Sequence, residues 1–210
     1  MSARPPTIFM VDDDASVRQA IARLLQARGL AVLTYASALE FLESYDPKLP
    51  GCLLLDLAMP GFGGLELQRV LTARGEAPPM VFLSGCADVP DSVQAMKGGA
   101  IDFLIKPVDE GLLINALRNA LEKDLATRTA RAEIAEIQTR LATLTPRETE
   151  VLRWVVSGKL NKQTAAALGT VEKTIKVHRA RVMEKMHAQS LAELVLLAAR
   201  VGISPPHLWN

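Results

Sequence analysis

The sequence has few cysteines, few histidines and no long apolar run, and each of these shortages excludes a class of protein or of functional site. Among 210 residues there are two cysteines, Cys52 and Cys86, both in or beside short apolar runs. In a reducing compartment such cysteines are core thiols rather than a disulfide. The histidines His178, His187 and His207 lack metal-ligand spacing with cysteines or acids. We therefore expect neither a disulfide nor a histidine-based enzyme site.

Signals for membrane insertion and secretion are also missing. No apolar run approaches the roughly 20 residues that a bilayer-spanning helix needs. Residues 1–6 contain no apolar signal-peptide core, so we expect a cytoplasmic protein without a membrane partner. Hydrophobic content of 49% with 22% charged residues fits a folded chain rather than a disordered one.

The net charge of +1 hides an asymmetry between the two halves of the chain. Residues 1–125 contain 11 Lys and Arg against 16 Asp and Glu, a balance of −5. Residues 126–210 contain 13 against 7, a balance of +6. An acidic half followed by a basic half predicts two domains with different partners, and the basic half is the candidate for binding nucleic acid.

The first 125 residues alternate short apolar runs with helical patterns. Strands are predicted at 7–12, 30–35, 51–56, 80–84 and 101–105, and helices at 16–28, 36–45, 65–74, 89–98 and 110–124. Five strand–helix repeats with continuously apolar strands are typical of a parallel sheet covered by helices on both faces. The sequence therefore predicts an α/β domain with a five-stranded parallel sheet.

Reactive side chains stand at the C-terminal ends of four of these runs. Asp12 and Asp13 end the first run, Asp56 ends the third, Ser84 the fourth and Lys106 the fifth. With strand order 2-1-3-4-5, ligands bind between strands one and three, where these carboxylates converge. A carboxylate cluster needs a hard cation such as Mg²⁺, and the lysine and the hydroxyl would complete a cage around a phosphoryl group. The pattern predicts a phosphoryl-accepting aspartate site.

Residues 4–124 resemble a two-component receiver domain, which has a flavodoxin-like fold. The matching motifs are Val11-Asp12-Asp13-Asp14, Leu55-Asp56-Leu57-Ala58-Met59-Pro60, Leu83-Ser84-Gly85 and Asp102-Phe103-Leu104-Ile105-Lys106-Pro107. The resemblance implies that Asp56 becomes an aspartyl phosphate, with Asp12 and Asp13 organising Mg²⁺ beside it. It also implies that Ser84 and Phe103 are switch residues that respond to the phosphoryl group.

Between the two halves, residues 117–144 form one long, charged helical pattern, of which 125–142 is taken as a helical linker. Ile134, Ile137, Leu141 and Leu144 recur at 3-4-3 spacing, as in a coiled-coil seam. Two heptads leave two interpretations open: a helix packed on its own domains, which the short repeat favours, or a dimerising seam.

The basic half is predicted to be a small all-α domain of four helices at 143–203. Thr145-Pro146-Arg147-Glu148 indicates a helix start, with a threonine cap, proline at the first position and glutamate at the third. Helices are predicted at 147–157, 162–168, 172–186 and 190–201, and the tail 204–210, with two prolines, is expected to be loose. A scaffold helix, a turn at Gly169 and a longer basic helix are the parts of a helix-turn-helix.

Residues 143–201 resemble the LuxR-type domain of NarL/FixJ-class response regulators, in the FixJ/StyR-like branch. The resemblance lies in the run from Leu144-Thr145-Pro146-Arg147-Glu148 to Ser190-Leu191-Ala192-Glu193-Leu194, and above all in Lys159-Leu160-Asn161-Lys162 and Lys176-Val177-His178-Arg179. It implies sequence-specific DNA binding. The DNA-contacting residues are expected to be Asn161, Lys162, Lys173, Thr174, Lys176, Val177, His178, Arg179 and Arg181.

Three residues depart from the family pattern. Val171 stands where the basic recognition helix usually has a Ser or Thr cap, and Thr170 could shift that cap by one residue. Thr164 replaces an aliphatic residue on the scaffold helix, and His187 replaces a glycine at a helix end, where it would have to tolerate a left-handed backbone.

Together the resemblances predict a transcription factor, not an enzyme, that a partner histidine kinase phosphorylates on Asp56. Phosphorylation would produce a homodimer that binds double-stranded promoter DNA, and FixJ-like relatives favour activation, with RNA polymerase as a further partner. One alternative is a constitutive DNA-binding regulator with an inert receiver. Another is an aspartate-nucleophile phosphohydrolase, which Ala58 disfavours because those enzymes usually place a second acid at that position.

Overall fold

The structure, a computed structural model, describes residues 5–85 and 89–203. Cys86, His207 and the tail predicted to be loose at 204–210 lie outside the described residues. The chain divides into two compact units, Met1–Arg128 and Thr129–Asn210. Within the described ranges, no helix combines the length and the apolarity needed to cross a bilayer.

Within the described part of the first unit, five strands form one parallel sheet: β1 (Thr7–Val11), β2 (Ala31–Tyr35), β3 (Gly51–Asp56), β4 (Met80–Ser84) and β5 (Asp102–Ile105). Between and after them lie α1 (Ala15–Ala27), α2 (Ala38–Ser44), α3 (Gly64–Arg74), α4 (Val89–Lys97) and the first part of α5 (Glu110–Ala142). The strand order is β2-β1-β3-β4-β5 and every pairing is parallel, which confirms the predicted α/β class and order.

The sheet contributes to two apolar cores because successive side chains of a strand point to opposite faces. Ile8 and Leu54 pack with residues of α1 and α5 on one face. Phe9 and Leu53 pack with residues of α2, α3 and α4 on the other. The central strand β3 is buried along its whole length, including Asp56 at its C-terminal end.

An arginine and an aspartate of α5 fasten the segment that precedes β3. The buried Asp124 carboxylate accepts hydrogen bonds from the Gly51 N–H at 2.9 Å and from Arg128 Nε at 2.7 Å. The same guanidinium donates to the backbone carbonyls of residues 47–49. At Gly51, φ is 157° and an added Cβ would lie 1.9 Å from a carbonyl oxygen of β1, so this position requires glycine. These contacts keep α5 in the first unit as far as Arg128.

The second unit contains α6 (Pro146–Val156), α7 (Asn161–Ala167), α8 (Glu172–Lys185), α9 (Leu191–Arg200) and the end of α5. They share one apolar core in which Ile137 of α5 is 3% exposed, with Leu141 and Leu144 packed against it. Of the two interpretations of the 3-4-3 pattern, the structure therefore shows the helix packed on its own unit.

The predicted start of α6 is confirmed as a capping box. The Thr145 hydroxyl accepts from the Glu148 N–H at 3.3 Å, and the Glu148 carboxylate accepts from the Thr145 N–H at 2.8 Å. Lys185 of α8 donates to the same carboxylate at 2.7 Å. The hydrogen bond from Lys185, with that from Thr145, lowers the pKa of Glu148 to about 2.

The three departures from the family pattern each have a structural consequence. Val171 is the N-cap of α8 and supplies no side-chain hydrogen bond, so the cap does not shift to Thr170. Thr164 is fully buried, and its hydroxyl has no hydrogen-bond partner among the described residues. His187 follows α8 with φ of 54°, the left-handed conformation expected where the family usually has glycine.

Candidate functional site

The parallel sheet brings three carboxylates together at the C-terminal ends of adjacent strands. Asp12 directly follows β1, Asp13 comes next, and Asp56 ends β3. One carboxylate oxygen from each lies within 4.8 Å of the other two. Asp12 and Asp56 are buried, at 0% and 4% exposure, whereas Asp13 is exposed. The cluster predicted from strand ends is therefore a compact acidic pocket with one solvent-facing wall.

Lys106, just after β5, bridges the two buried carboxylates. Its Nζ donates to Asp12 Oδ2 at 2.7 Å and to Asp56 Oδ1 at 2.8 Å. Burial raises the pKa of Asp56, the hydrogen bond and charge of Lys106 oppose that rise, and the neighbouring Asp12 and Asp13 reinforce it. For Lys106, burial works against the charged form, but the hydrogen bonds to Asp12 and Asp56 raise its pKa. The lysine is thus a fixed cation that partly neutralises the negative charge of the pocket.

Asp14, the third acid of the motif, has a different task. Its carboxylate accepts from the backbone N–H groups of Ser16 and Val17 at 2.7 and 3.3 Å, which makes it the N-cap of α1. These hydrogen bonds, with one from the Ser16 hydroxyl, lower the pKa of Asp14. It therefore fixes where α1 begins, directly after the two acids of the pocket.

Arg18 is a pocket neighbour that sequence reasoning missed. Its guanidinium donates to the backbone carbonyl of Asp12 at 2.6 Å. The Asp12 carboxylate also accepts a hydrogen bond from the Asp14 N–H at 2.9 Å. The contact from Arg18 thus links α1 to the backbone at the end of β1. A contact to a backbone carbonyl has no sequence signature of its own, because every residue offers the same acceptor.

The donor set of this pocket fits Mg²⁺. All three groups offer carboxylate oxygens, the ligands that hard divalent cations prefer, and Mg²⁺ commonly uses one or two carboxylates with waters and phosphate oxygens. Because Asp13 is exposed, an ion held by these residues would be accessible to water and substrate. Asp12, Asp13 and Asp56 are the residues that could hold the ion, as the sequence predicted.

The two predicted switch residues lie on neighbouring strands beside the pocket. Ser84 ends β4 and is 1% exposed, and its carbonyl accepts from the Lys106 N–H at 2.7 Å. Phe103 on β5 is partly buried and stacks on Phe82 with ring centroids 6.4 Å apart. The structure thus places Ser84 and Phe103 on the adjacent strands β4 and β5. A backbone hydrogen bond links Ser84 directly to Lys106.

In the second unit, α8 carries a basic stripe on its exposed face. Lys173, Lys176, Val177 and Arg181 are all exposed and follow one another at the spacing of a helical face. Ile175 and Val182 point the other way into the core. Three cations and one apolar side chain thus share one open helix face, a set whose chemistry suits contacts with phosphates and base edges, although Lys176 also pairs with Glu172 at 3.4 Å.

Other predicted DNA-contacting residues are arranged differently. Arg179 is partly buried and donates to Asn161 Oδ1 at 3.3 Å, so it links α8 to α7. Thr174 and His178 are also partly buried, and the buried Nδ1 atom of the histidine has no hydrogen-bond partner in the described part of the chain. Lys162 is exposed near the start of α7. The structure therefore brings four of the predicted contacts onto one open face and uses others within the helix-turn-helix.

Comparison with known families agrees with both units. The family model of the response regulator receiver domain matches residues 8–118. The model of bacterial regulatory proteins of the luxR family matches residues 142–198. The first covers the strands and helices that build the acidic pocket, and the second covers the helix-turn-helix.

Several relatives match this chain over almost its whole length. Nodulation protein W of Bradyrhizobium diazoefficiens is 42% identical over 95% of this chain and 88% of its own length. The transcriptional regulatory protein FixJ of Azorhizobium caulinodans is 42% identical over 94% of each chain. The solved structure of the response regulator StyR matches with a TM-score of 0.86 and 43% identity, over 93% of this chain and 99% of that one. The chain belongs to the family of response regulators that combine a receiver domain with a LuxR-type DNA-binding domain and regulate transcription.

Proposed function

We propose that Asp56 is the phosphoryl acceptor of this response regulator and that a histidine kinase is the donor. The observation that carries the proposal is the meeting of Asp56 with Asp12, Asp13 and Lys106 in one pocket. An oxygen of Asp56 attacks the phosphorus of a phosphohistidine. The P–N bond breaks, its electron pair stays on the imidazole, and an aspartyl phosphate forms.

The pocket supports this chemistry by charge and position. Mg²⁺ held by Asp12, Asp13 and Asp56 would neutralise the equatorial oxygens of the transferred group. Lys106 already lies 2.8 Å from Asp56, so its cation is in place to offset the charge that the phosphoryl oxygens bring. Ser84 and Phe103 would then respond as switch residues, because the new phosphate oxygens offer strong acceptors beside β4.

The proposed output is phosphorylation-dependent binding of promoter DNA by a homodimer. The face formed by α4, β5 and α5 has exposed apolar side chains, including Val93, Met96 and Ile105, which supports its use in dimerisation. Two copies would present two α8 helices to half-sites about one helical turn apart. The contacts would come from the residues predicted on α7 and α8, above all Lys173, Lys176 and Arg181.

We further propose transcriptional activation, with RNA polymerase as a partner, in the cytoplasm and without enzymatic turnover of a substrate. The similarity of 94% of this chain to FixJ, a transcriptional regulatory protein, supports a role in transcription. We also propose domain boundaries: the receiver domain spans residues 4–124, the linker 125–142 and the DNA-binding domain 143–203.

The test is sedimentation of the purified protein in Mg²⁺ with and without acetyl phosphate or beryllofluoride. We expect a shift from monomer to dimer, together with a mass increase of one phosphoryl group after acetyl phosphate. The Asp56→Asn variant is the control and should show neither change. A dimer that forms equally with Asp56→Asn, or a wild-type protein that gains no phosphate, would contradict the proposal.

A further inference from the structure

The end of α5, predicted from the sequence to be a linker, is anchored in the DNA-binding unit. Ile137 is 3% exposed in the core that also contains Ile175 and Val182 of α8. One turn earlier, Glu133 pairs with Arg200 of α9 at 2.7 Å. Residues 133–143 therefore pack on the helix-turn-helix rather than merely leading to it.

At the C-terminal end of α8, one backbone carbonyl accepts a hydrogen bond from a side chain of α5. Beyond the helix, the Ala188 N–H donates to the Met183 carbonyl at 2.9 Å and the His187 N–H to the Glu184 carbonyl at 3.0 Å, which is a Schellman motif. The carbonyl of Met186 is not part of that motif and accepts instead from Arg140 of α5 at 3.4 Å. A cation at a helix C-terminus also interacts favourably with the helix dipole.

Arg140 is held in place for this contact. Its second guanidinium nitrogen donates to Glu136, one turn earlier on the same helix, and its side chain is 24% exposed. A planar guanidinium can bind two acceptors at once in a fixed geometry, which an ammonium group does less well. The ion pair on one side thus orients the donor that α8 receives on the other.

A second contact joins the same two segments. Lys185, the last residue of α8, donates to the Thr143 carbonyl at 3.0 Å and to the buried Glu148 carboxylate at 2.7 Å. The end of α8 is therefore bonded to residues on both sides of the short connection between α5 and α6. Among the residues that the structure describes, the N-cap of α8, Val171, has no side-chain cap hydrogen bond.

We propose that residues 133–143 are a positioning element for the recognition helix, and that Arg140 is its principal positioning residue. The inference rests on the proposed DNA-binding role of α8. Fixing the rear of α8 sets the angle at which its exposed basic stripe meets DNA. A helix of 14 residues is about 21 Å long, so a tilt of about 10° about its rear end moves its front by about 3–4 Å. Such a displacement exceeds the tolerance of a base contact.

The experiment uses the full-length protein in Mg²⁺ and beryllofluoride. The probe is a duplex enriched by the wild-type protein from a random-sequence library, and a scrambled duplex of the same composition measures non-specific binding. Arg140→Gln removes the donor. Arg131→Gln is the matched control, because Arg131 is exposed on the same helix and, within the described residues, has no hydrogen bond or ion pair. Both changes remove one positive charge.

We expect Arg140→Gln to weaken binding of the enriched duplex by about tenfold and to leave binding of the scrambled duplex unchanged. Arg131→Gln should leave both within twofold of wild type. Arg140→Lys retains the charge but not the planar fork, and should fall between Arg140→Gln and wild type. Glu136→Gln, which frees the guanidinium, should show a smaller loss of the same kind.

Salt dependence distinguishes positioning from direct contact with DNA. A side chain that neutralises one phosphate contributes about 0.9 to the slope of log affinity against log salt. Because Arg140 acts through α8, the slope for Arg140→Gln should equal that of the wild type. The thermal unfolding midpoint of each variant is measured as well. A midpoint well above the temperature of the binding assay excludes loss of folded protein as the cause of weaker binding.

Each outcome decides the inference. Unchanged specific affinity for Arg140→Gln, an equal loss for Arg131→Gln, or a slope reduced by about one would overturn it. If the wild-type protein enriches no duplex at all, the proposed DNA-binding function fails instead, and this result is seen before any variant is compared.

Discussion

The two units place their functional charges in opposite environments. In the first, Asp12 and Asp56 are almost fully buried and hydrogen-bonded to Lys106. In the second, Lys173, Lys176 and Arg181 are exposed on one face of α8. Transfer of a phosphoryl group benefits from fixed charges in a site with little water, whereas binding of DNA gains from cations that reach phosphates and release counterions. The contrast fits the phosphoryl transfer proposed for the first unit and the DNA binding proposed for α8 of the second.

In the described part of the second unit, a buried carboxylate takes part in an ion pair that is structural. Glu148 is 2% exposed and pairs with Lys185 between the start of α6 and the end of α8. It faces the core rather than the exposed stripe. Glu148 resembles Asp124 of the first unit in this respect, because each is a buried carboxylate that anchors helices rather than one that belongs to the acidic pocket.

Of the changes considered, removal of Lys106 from the buried pocket of the first unit should have the largest effect. In Lys106→Met, the buried carboxylates of Asp12 and Asp56 lose their bonded cation, and the incoming phosphoryl group loses a stabilising charge. We expect phosphorylation by acetyl phosphate to slow by a factor of about 100 or more. Intact-mass time courses measure the rate. A rate within threefold of wild type would show that the lysine is only a structural counter-ion.

Glu148→Gln tests the buried pair of the second unit. The remaining Lys185 loses its ion pair but keeps its hydrogen bond to the Thr143 carbonyl and is a third exposed, so we expect a loss of about 1.5–3 kcal/mol, the range for a hydrogen bond to a charged group. Hydrogen exchange of the α6–α9 amides measures this loss. The amides of β1–β5 should be unaffected, and a loss shared by both units would contradict the assignment.

The same residue predicts a pH dependence. The folded-state pKa of Glu148 is lowered from 4.5 to about 2, so its stabilising contribution is complete above about pH 4.5 and is lost as the pH falls toward 2. Over this range Glu148→Gln should lose less stability than the wild type. Equal pH profiles for the two proteins would show that other groups dominate acid unfolding of the second unit.

Thr164→Val sharpens the comparison by removing a buried polar atom that has no partner. The hydroxyl lies in a fully buried site of α7, and a buried hydroxyl without a hydrogen bond costs about 1–3 kcal/mol. Replacement with the similarly shaped valine should stabilise the second unit by about 1 kcal/mol. Denaturant unfolding gives the change, and destabilisation would mean that the hydroxyl is satisfied in solution.

Val171→Ser should have the smallest effect. A serine at the N-cap of α8 can accept a hydrogen bond from the first turn, which the exposed valine cannot do. We expect a gain of about 0.5–1 kcal/mol in the absence of DNA, measured by the same unfolding experiment. Val171→Ala is the control, because it removes the apolar side chain without supplying an acceptor, and it should not be stabilising.

Much of the fold followed from the sequence because its signals are local and repeated. The apolar runs predicted all five strands, and the Thr145–Glu148 capping box located the start of α6. The pocket was predicted because Asp12, Asp56, Ser84 and Lys106 all stand at strand ends, and parallel strands bring those ends to one edge. The arginines at 18, 128 and 140 were missed, because each binds backbone carbonyls that any sequence could offer.

The sequence by itself determined the two domain types and the residues of the acidic pocket, since hydrophobic periodicity, motifs and strand-end chemistry are written along the chain. The sheet order was an expectation that goes with this fold type, and the structure confirms it. Only the tertiary structure decided that Ile137 lies in the second core and that Arg140 bonds to the end of α8. Only the tertiary structure divided the basic residues of that helix between an exposed stripe and internal contacts. Those outcomes depend on which helix faces pack together, and packing joins residues that are distant in sequence.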